Sequence, residues 1–120
     1  MKKTTTLLLA FVIFGITSCS PDKLIESATD CLFESALVLI DHTKATEDPK
    51  KVTFEITYGG EKNLDENIKW DFGDGTPVQT LTGTTATHTY TTAGSYTAKA
   101  VVTLNGGKCS YDKHNTVDIE

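Results

Sequence analysis

From Val52 to Tyr58 apolar and polar residues alternate without a break: Val52, Phe54, Ile56 and Tyr58 fall on one side, Thr53, Glu55 and Thr57 on the other. A period of two is the repeat of an extended strand, whose successive side chains point to opposite faces. One face therefore suits a core and the other suits water. The pattern returns at Ile68, Trp70 and Phe72, at Tyr96, Ala98, Ala100, Val102 and Leu104, and at Cys109, Tyr111, Val117 and Ile119. Gly59-Gly60 closes the first run, and Asn105-Gly106-Gly107 joins the last two as a hairpin. A weaker, threonine-dominated strand is expected around Thr85 to Tyr90. Short antiparallel strands separated by turns predict an all-β sandwich with the Trp70 strand central.

The N-terminal part departs from this pattern. Lys2 and Lys3 precede an apolar run from Leu7 to Ile16, a basic and a hydrophobic region of secretory length, too short to span a bilayer. Residues 1–18 read as a removable export signal. Ile16-Thr17-Ser18-Cys19 resembles the bacterial lipobox, at which the signal is cut and Cys19 becomes an acylated N-terminus; an ordinary cleavage site beside a cysteine is the alternative. Several acyl chains make a stable membrane anchor. Residues 19–23 form a short leader. Over residues 24–35, Leu24, Ile25, Ala28, Cys31 and Leu32 recur at helical spacing behind a Ser20-Pro21 helix start. A short helical extension is expected there. Leu37, Val38, Leu39 and Ile40 then read as a buried strand that opens the sandwich of residues 36–120.

With the signal removed, the chain keeps nine lysines against sixteen acids, a formal charge of −7, and it contains no arginine. The planar guanidinium that reads phosphates and guanine edges is missing, so nucleic acid is not an expected partner. Acidity adds a weak preference for cationic partners. Once Cys19 carries lipid, Cys31 and Cys109 remain as one even pair in an oxidising compartment, and a disulfide between them is expected. The C-x-x-C and Cys/His spacings of redox and zinc sites are absent.

Trp70-Asp71-Phe72-Gly73-Asp74-Gly75-Thr76, then His88-Thr89-Tyr90, then Gly94-Ser95-Tyr96-Thr97 follow one another along the chain. In type and order these resemble the signature of the polycystic-kidney-disease (PKD) domain family, from about Leu37 to Glu120. The resemblance implies an immunoglobulin-like antiparallel β-sandwich, of a kind found as a non-catalytic spacing or binding module on secreted and cell-surface proteins. The N-terminal helix lies outside it.

Two readings of the aspartate-rich segment stay open. As a turn, Trp70 and Phe72 face the core, Gly73 and Gly75 supply backbone freedom, and Asp71 and Asp74 accept backbone N–H bonds. As a metal site, Asp71 and Asp74 are weak calcium candidates, because the rest of an Asp-x-Asp-x-Asp-Gly loop is missing. The resemblance places His88 and Tyr90 beside this turn in a packing role, and Tyr96, two residues after Gly94, like a tyrosine-corner residue. In a sandwich of this type the first strand can run parallel to the last, which would bring Cys31 to Cys109 and pin the helix to the sandwich. His42 and His114 show no partner pattern.

No G-x-S-x-G nucleophile is present, and Asp71-Phe72-Gly73 lacks every other kinase motif, so neither an enzyme nor a cofactor is expected. The expectation is a lipoprotein of the bacterial cell envelope, held at the outer membrane by its acyl chains, that binds or assembles with another envelope protein or spaces it. Ser20-Pro21-Asp22-Lys23 does not decide between the periplasmic and the surface side. A glycan-binding accessory role, with Tyr58, Tyr90 and Tyr111 as stacking candidates, is the alternative.

Overall fold

The computed structural model describes residues 22–120, with side chains from residue 29 onward. The export signal, Cys19 and the start of the leader lie outside the described residues. Among the described residues one helix, α1 (Asp22–Ala36), precedes seven strands. These are β1 (Val38–Lys44), β2 (Lys51–Tyr58), β3 (Asn67–Asp71), β4 (Gln79–Thr82), β5 (Thr85–Thr89), β6 (Gly94–Leu104) and β7 (Cys109–Ile119). They form an antiparallel sandwich of a three-stranded sheet, ordered β1-β2-β5, and a four-stranded sheet, ordered β4-β3-β6-β7. None of the described helical structure is long and apolar enough to cross a membrane.

The alternating residues make the core as their period demands. Val52, Phe54 and Ile56 of β2 face Ile68 and Trp70 of β3, Ala98, Ala100, Val102 and Leu104 of β6, and Val117 and Ile119 of β7, all buried. Phe54 reaches across the layers to Trp70 and Phe72, with ring centroids 6.0 and 5.9 Å away. In the register of β3 with β6, Trp70 lies opposite Ala100, whose small side chain leaves room for the indole. The Trp70 Nε1 has no hydrogen-bond partner among the described residues, so packing alone holds the ring.

Two strand expectations are corrected. Leu37 to Ile40 is not buried throughout: Val38 is buried, Ile40 is half-buried, and Leu37 and Leu39 face solvent. Only one side of β1 meets the core, and the other is the outer face of the sandwich. β4 was not expected, because Gln79-Thr80-Leu81-Thr82 offers one partly buried apolar residue, yet it pairs with β3 from Asn67↔Thr82 to Trp70↔Gln79.

The β6–β7 hairpin pairs over eleven positions, from Gly94↔Ile119 to Leu104↔Cys109, and outreaches the seven-residue β1 and eight-residue β2 of the opposite sheet. The segment from Cys31 to Lys44 covers β7 along this length. Tyr111 donates its hydroxyl to Cys31 O, and the Lys113 ammonium donates to Ser35 O. Asn115 Nδ2 donates to Ile40 O, Asn115 Oδ1 pairs with His42 Nδ1, and Lys44 donates to Asp118 O. Contacts that advance together show that this segment runs parallel to β7, helix beside its first half and β1 beside its second. The half-buried Cys31 is thereby bonded to the buried Cys109, their Cα atoms 5.5 Å apart.

This geometry also corrects the helix face. Cys31, Glu34 and Ser35 meet the sandwich, whereas Leu32, placed with Cys31 on the apolar face by its spacing, points away and is 72% exposed. The disulfide closes a separation of 78 residues, and native disulfides are typically worth about 2–4 kcal/mol, long loops towards the upper end. Cys31→Ser with Cys109→Ser should lose that amount in urea unfolding, and the unreduced wild type should show neither thiol to an alkylating reagent.

Candidate functional site

The signature residues gather at the end of the sandwich opposite the β6–β7 hairpin tip. β3 and the residue after it deliver Trp70 and Phe72 to the core and leave Asp71 partly exposed, after which the chain turns sharply. Asp71 Oδ1 accepts the Gly73 N–H at 3.0 Å, and Asp74 Oδ1 accepts the Thr76 N–H at 3.2 Å and the Thr76 hydroxyl at 2.6 Å. Both carboxylates thus stabilise the turn by closing onto residues two positions ahead. Gly73 and Gly75 take φ of +76° and +84°, the region that penalises any side chain. At Gly73 a Cβ would also lie 2.3 Å from Thr97 O of β6, while at Gly75 the space is open.

His88 of β5 packs its ring flat on Phe72, centroids 4.1 Å apart and planes 5° apart, and meets the edge of Tyr90 at 4.8 Å. Its Nε2 lies 2.7 Å from Asp74 Oδ2. An ionised carboxylate only accepts, so Nε2 carries the proton and donates. Tyr90, fully buried, donates its hydroxyl to Phe72 O at 2.9 Å, and burial, with the nearby Asp74 charge, pushes its pKa up to about 12. Tyr96, in β6 two residues after Gly94, stacks on Tyr90 at 4.5 Å and donates to Thr92 O at 2.7 Å, tying down the turn four residues upstream. The three parts of the signature therefore form one continuous stack and hydrogen-bond chain that clamps this end shut.

The arrangement leaves little chemistry unassigned. Burial works against the charge of Asp74, but hydrogen bonds from Thr76 and His88 outweigh it and hold its pKa below the ordinary 3.8. Asp71 and Asp74 are directed into the turn, and no group of three or more His, Cys, Asp or Glu among the described residues is placed to hold a metal ion. The three tyrosines considered for sugar stacking do not make a platform. Tyr90 is buried, while Tyr58 donates to Glu34 and Tyr111 to the Cys31 carbonyl under α1.

The opposite end holds residues the sequence pattern passed over. Glu34 reaches Tyr58, whose pKa is raised by burial and by this bond, and Asp30 lies 3.8 Å from Lys62. Lys113 and Asn115 sit on the inward face of β7, where alternation would place apolar residues. That interruption between Tyr111 and Val117 was the available signal, and it marks where β7 meets Ser35 and His42 rather than the core.

At Gly75, alanine should cost about 1–2 kcal/mol for the left-handed backbone alone. At Gly73 it should cost a further 1–3 kcal/mol or so, because Thr97 backbone must also move; paired denaturation curves check the order. Asp74→Asn should lower stability at neutral pH by about 1.5–3 kcal/mol, the range for hydrogen bonds to a charged group. Because the native pKa is depressed, that stabilisation is present above the unfolded value of 3.8 and is lost as pH falls through the native value. The wild-type and variant pH–stability curves should therefore converge in acid.

Comparison with known proteins agrees with this geometry. The family model described as PKD domain matches residues 37–119, beginning where α1 ends. The PKD1 domain of the Vibrio cholerae metalloprotease PrtV superposes with a TM-score of 0.54 at 26% identity, covering 69% of this chain and 94% of that one. The PKD1 domain of Vibrio anguillarum Epp gives a TM-score of 0.52 at 24% identity, covering 69% and 93%, and shows the shared fold. Comparison with curated proteins finds no match. A family match over more than half the chain, with its signature forming one clamped end of the sandwich, establishes that this protein belongs to the PKD domain family.

Proposed function

We propose that this protein is a non-catalytic lipoprotein of the bacterial cell envelope, anchored at the outer membrane through Cys19, whose sandwich binds and helps to assemble another envelope protein. One observation carries this reading. The helix that begins three residues after Cys19 is joined to the last strand by the Cys31–Cys109 disulfide and by the Tyr111 and Lys113 hydrogen bonds. A tether on Cys19 would therefore enter a body that includes the sandwich, rather than a free linker. The module would be held at its helix end, with its far-end loops and the outer face of the four-stranded sheet left for a partner.

The non-catalytic part of the proposal is supported by the occupation of its titratable groups. His88 and Asp74 are engaged with each other, Asp74 also with Thr76, and Cys31 with Cys109. Family modules of this kind serve binding and spacing, and binding surfaces in sandwiches lie on loops and strand faces.

The test is crosslinking of the lipidated, affinity-tagged protein in intact cells, with identification of attached proteins against a Cys19→Ala control. One reproducible partner that disappears with the anchor is the expected outcome. Recovery of nothing beyond the protein itself would overturn the assembly role.

A further inference from the structure

Leu32, Phe33, Leu37 and Leu39 are exposed by 72%, 76%, 42% and 62%, within eight consecutive residues. Two facts of the fold place them on one side of the molecule. α1 extends the layer of the three-stranded sheet beside the first half of β7, with Cys31, Glu34 and Ser35 turned inward. Leu32 and Phe33 therefore occupy the outward side of that layer. In β1, Val38 is buried and its neighbours Leu37 and Leu39 point outward, to the same side. The patch ends where this face turns polar at Asp41 and Thr43.

We propose that this patch docks on the surface of the lipid bilayer that holds the Cys19 acyl chains, so that α1 lies along the membrane. The inference rests on the reading of Cys19 as lipidated. Only Ser20 and Pro21 separate Cys19 from the first residue of α1, so the helix begins within about 10 Å of the acyl attachment. Phe33 lies about 16 Å further along the helix axis. A helix standing upright would hold four large apolar side chains in water, above a membrane within reach. A helix lying flat immerses them in the interface, where amphipathic helices bury their apolar side about 5–10 Å deep.

Of the helix acids whose side chains are described, Glu34 accepts from Tyr58 and Asp30 pairs with Lys62. A second copy fits the patch less well. Four side chains fall short of the roughly 800 Å² that each partner buries in a standard stable interface. The bilayer sets no such minimum once acyl chains supply the anchor.

The test uses the lipidated full chain in vesicles of phosphatidylethanolamine and phosphatidylglycerol that include lipids with brominated chains. Phe33→Trp and Val78→Trp each add a fluorophore at an exposed site, and the buried native Trp70 provides a constant background. The Phe33→Trp emission should shift to shorter wavelength on reconstitution and lose most of its added intensity to the bromines. The Val78→Trp emission should do neither. Equal, negligible quenching at both sites, in protein that floats with the vesicles and carries acyl chains by intact mass, would overturn the docking and leave the anchor standing. A blue shift without quenching, with a doubled mass in detergent, would assign the patch to a second copy and also overturn it. A chain without acyl groups on Cys19 would overturn anchor and docking together.

Discussion

β7 is three residues longer than the longest strand of the opposite sheet, and an inward face without a facing layer would put Cys109 and Tyr111 into water. Covering that overhang is the constraint on which the N-terminal half depends. A strand could have continued β1 upstream, but the chain supplies a helix instead. One turn from Cys31 to Ser35 carries a disulfide partner and the carbonyls that Tyr111 and Lys113 need. The layer is completed by side-chain bonds, so on the inward face of β7 the polar Lys113 and Asn115 meet the seam while Val117 and Ile119 meet the core.

The fold was largely legible because alternation and burial coincide wherever a strand lies between both layers, as at Phe54, Trp70 and Val102. Legibility failed where a strand or helix touches the body on one side only. Leu39 and Leu32 are apolar and face solvent, which no period of two or three and a half could reveal, since periodicity marks faces without saying which is covered. β4 failed differently: a four-residue edge strand needs only its neighbour's backbone, and Gln79 to Thr82 carries no burial signal. Of the signature end, the roles of Asp71, His88 and Tyr96 could be anticipated, and the disulfide followed from counting cysteines. The Glu34–Tyr58 bond could not, because it depends on where a helix outside the family match comes to rest.

The two ends of the sandwich are built on different physics. The signature end is a stack of rings sealed by hydrogen bonds of Asp74, Tyr90 and Tyr96, all made within the family match. The helix end belongs to this chain and is closed by a covalent bond between its N-terminal and C-terminal parts. Stability of the first therefore varies with acid, and integrity of the second with reducing power.

The bond between Cys31 and Cys109 also defines a load path. Tension on the N-terminal end of α1 does not peel β1 from β2 one residue at a time, because the covalent link passes the force at Cys31 directly to the first residue of β7. The sandwich is then gripped through its longest hairpin, whose eleven paired positions share the pull, while β1 and the core behind it stay unloaded. A small domain built in this way can be tugged by one terminus without beginning to unravel from it.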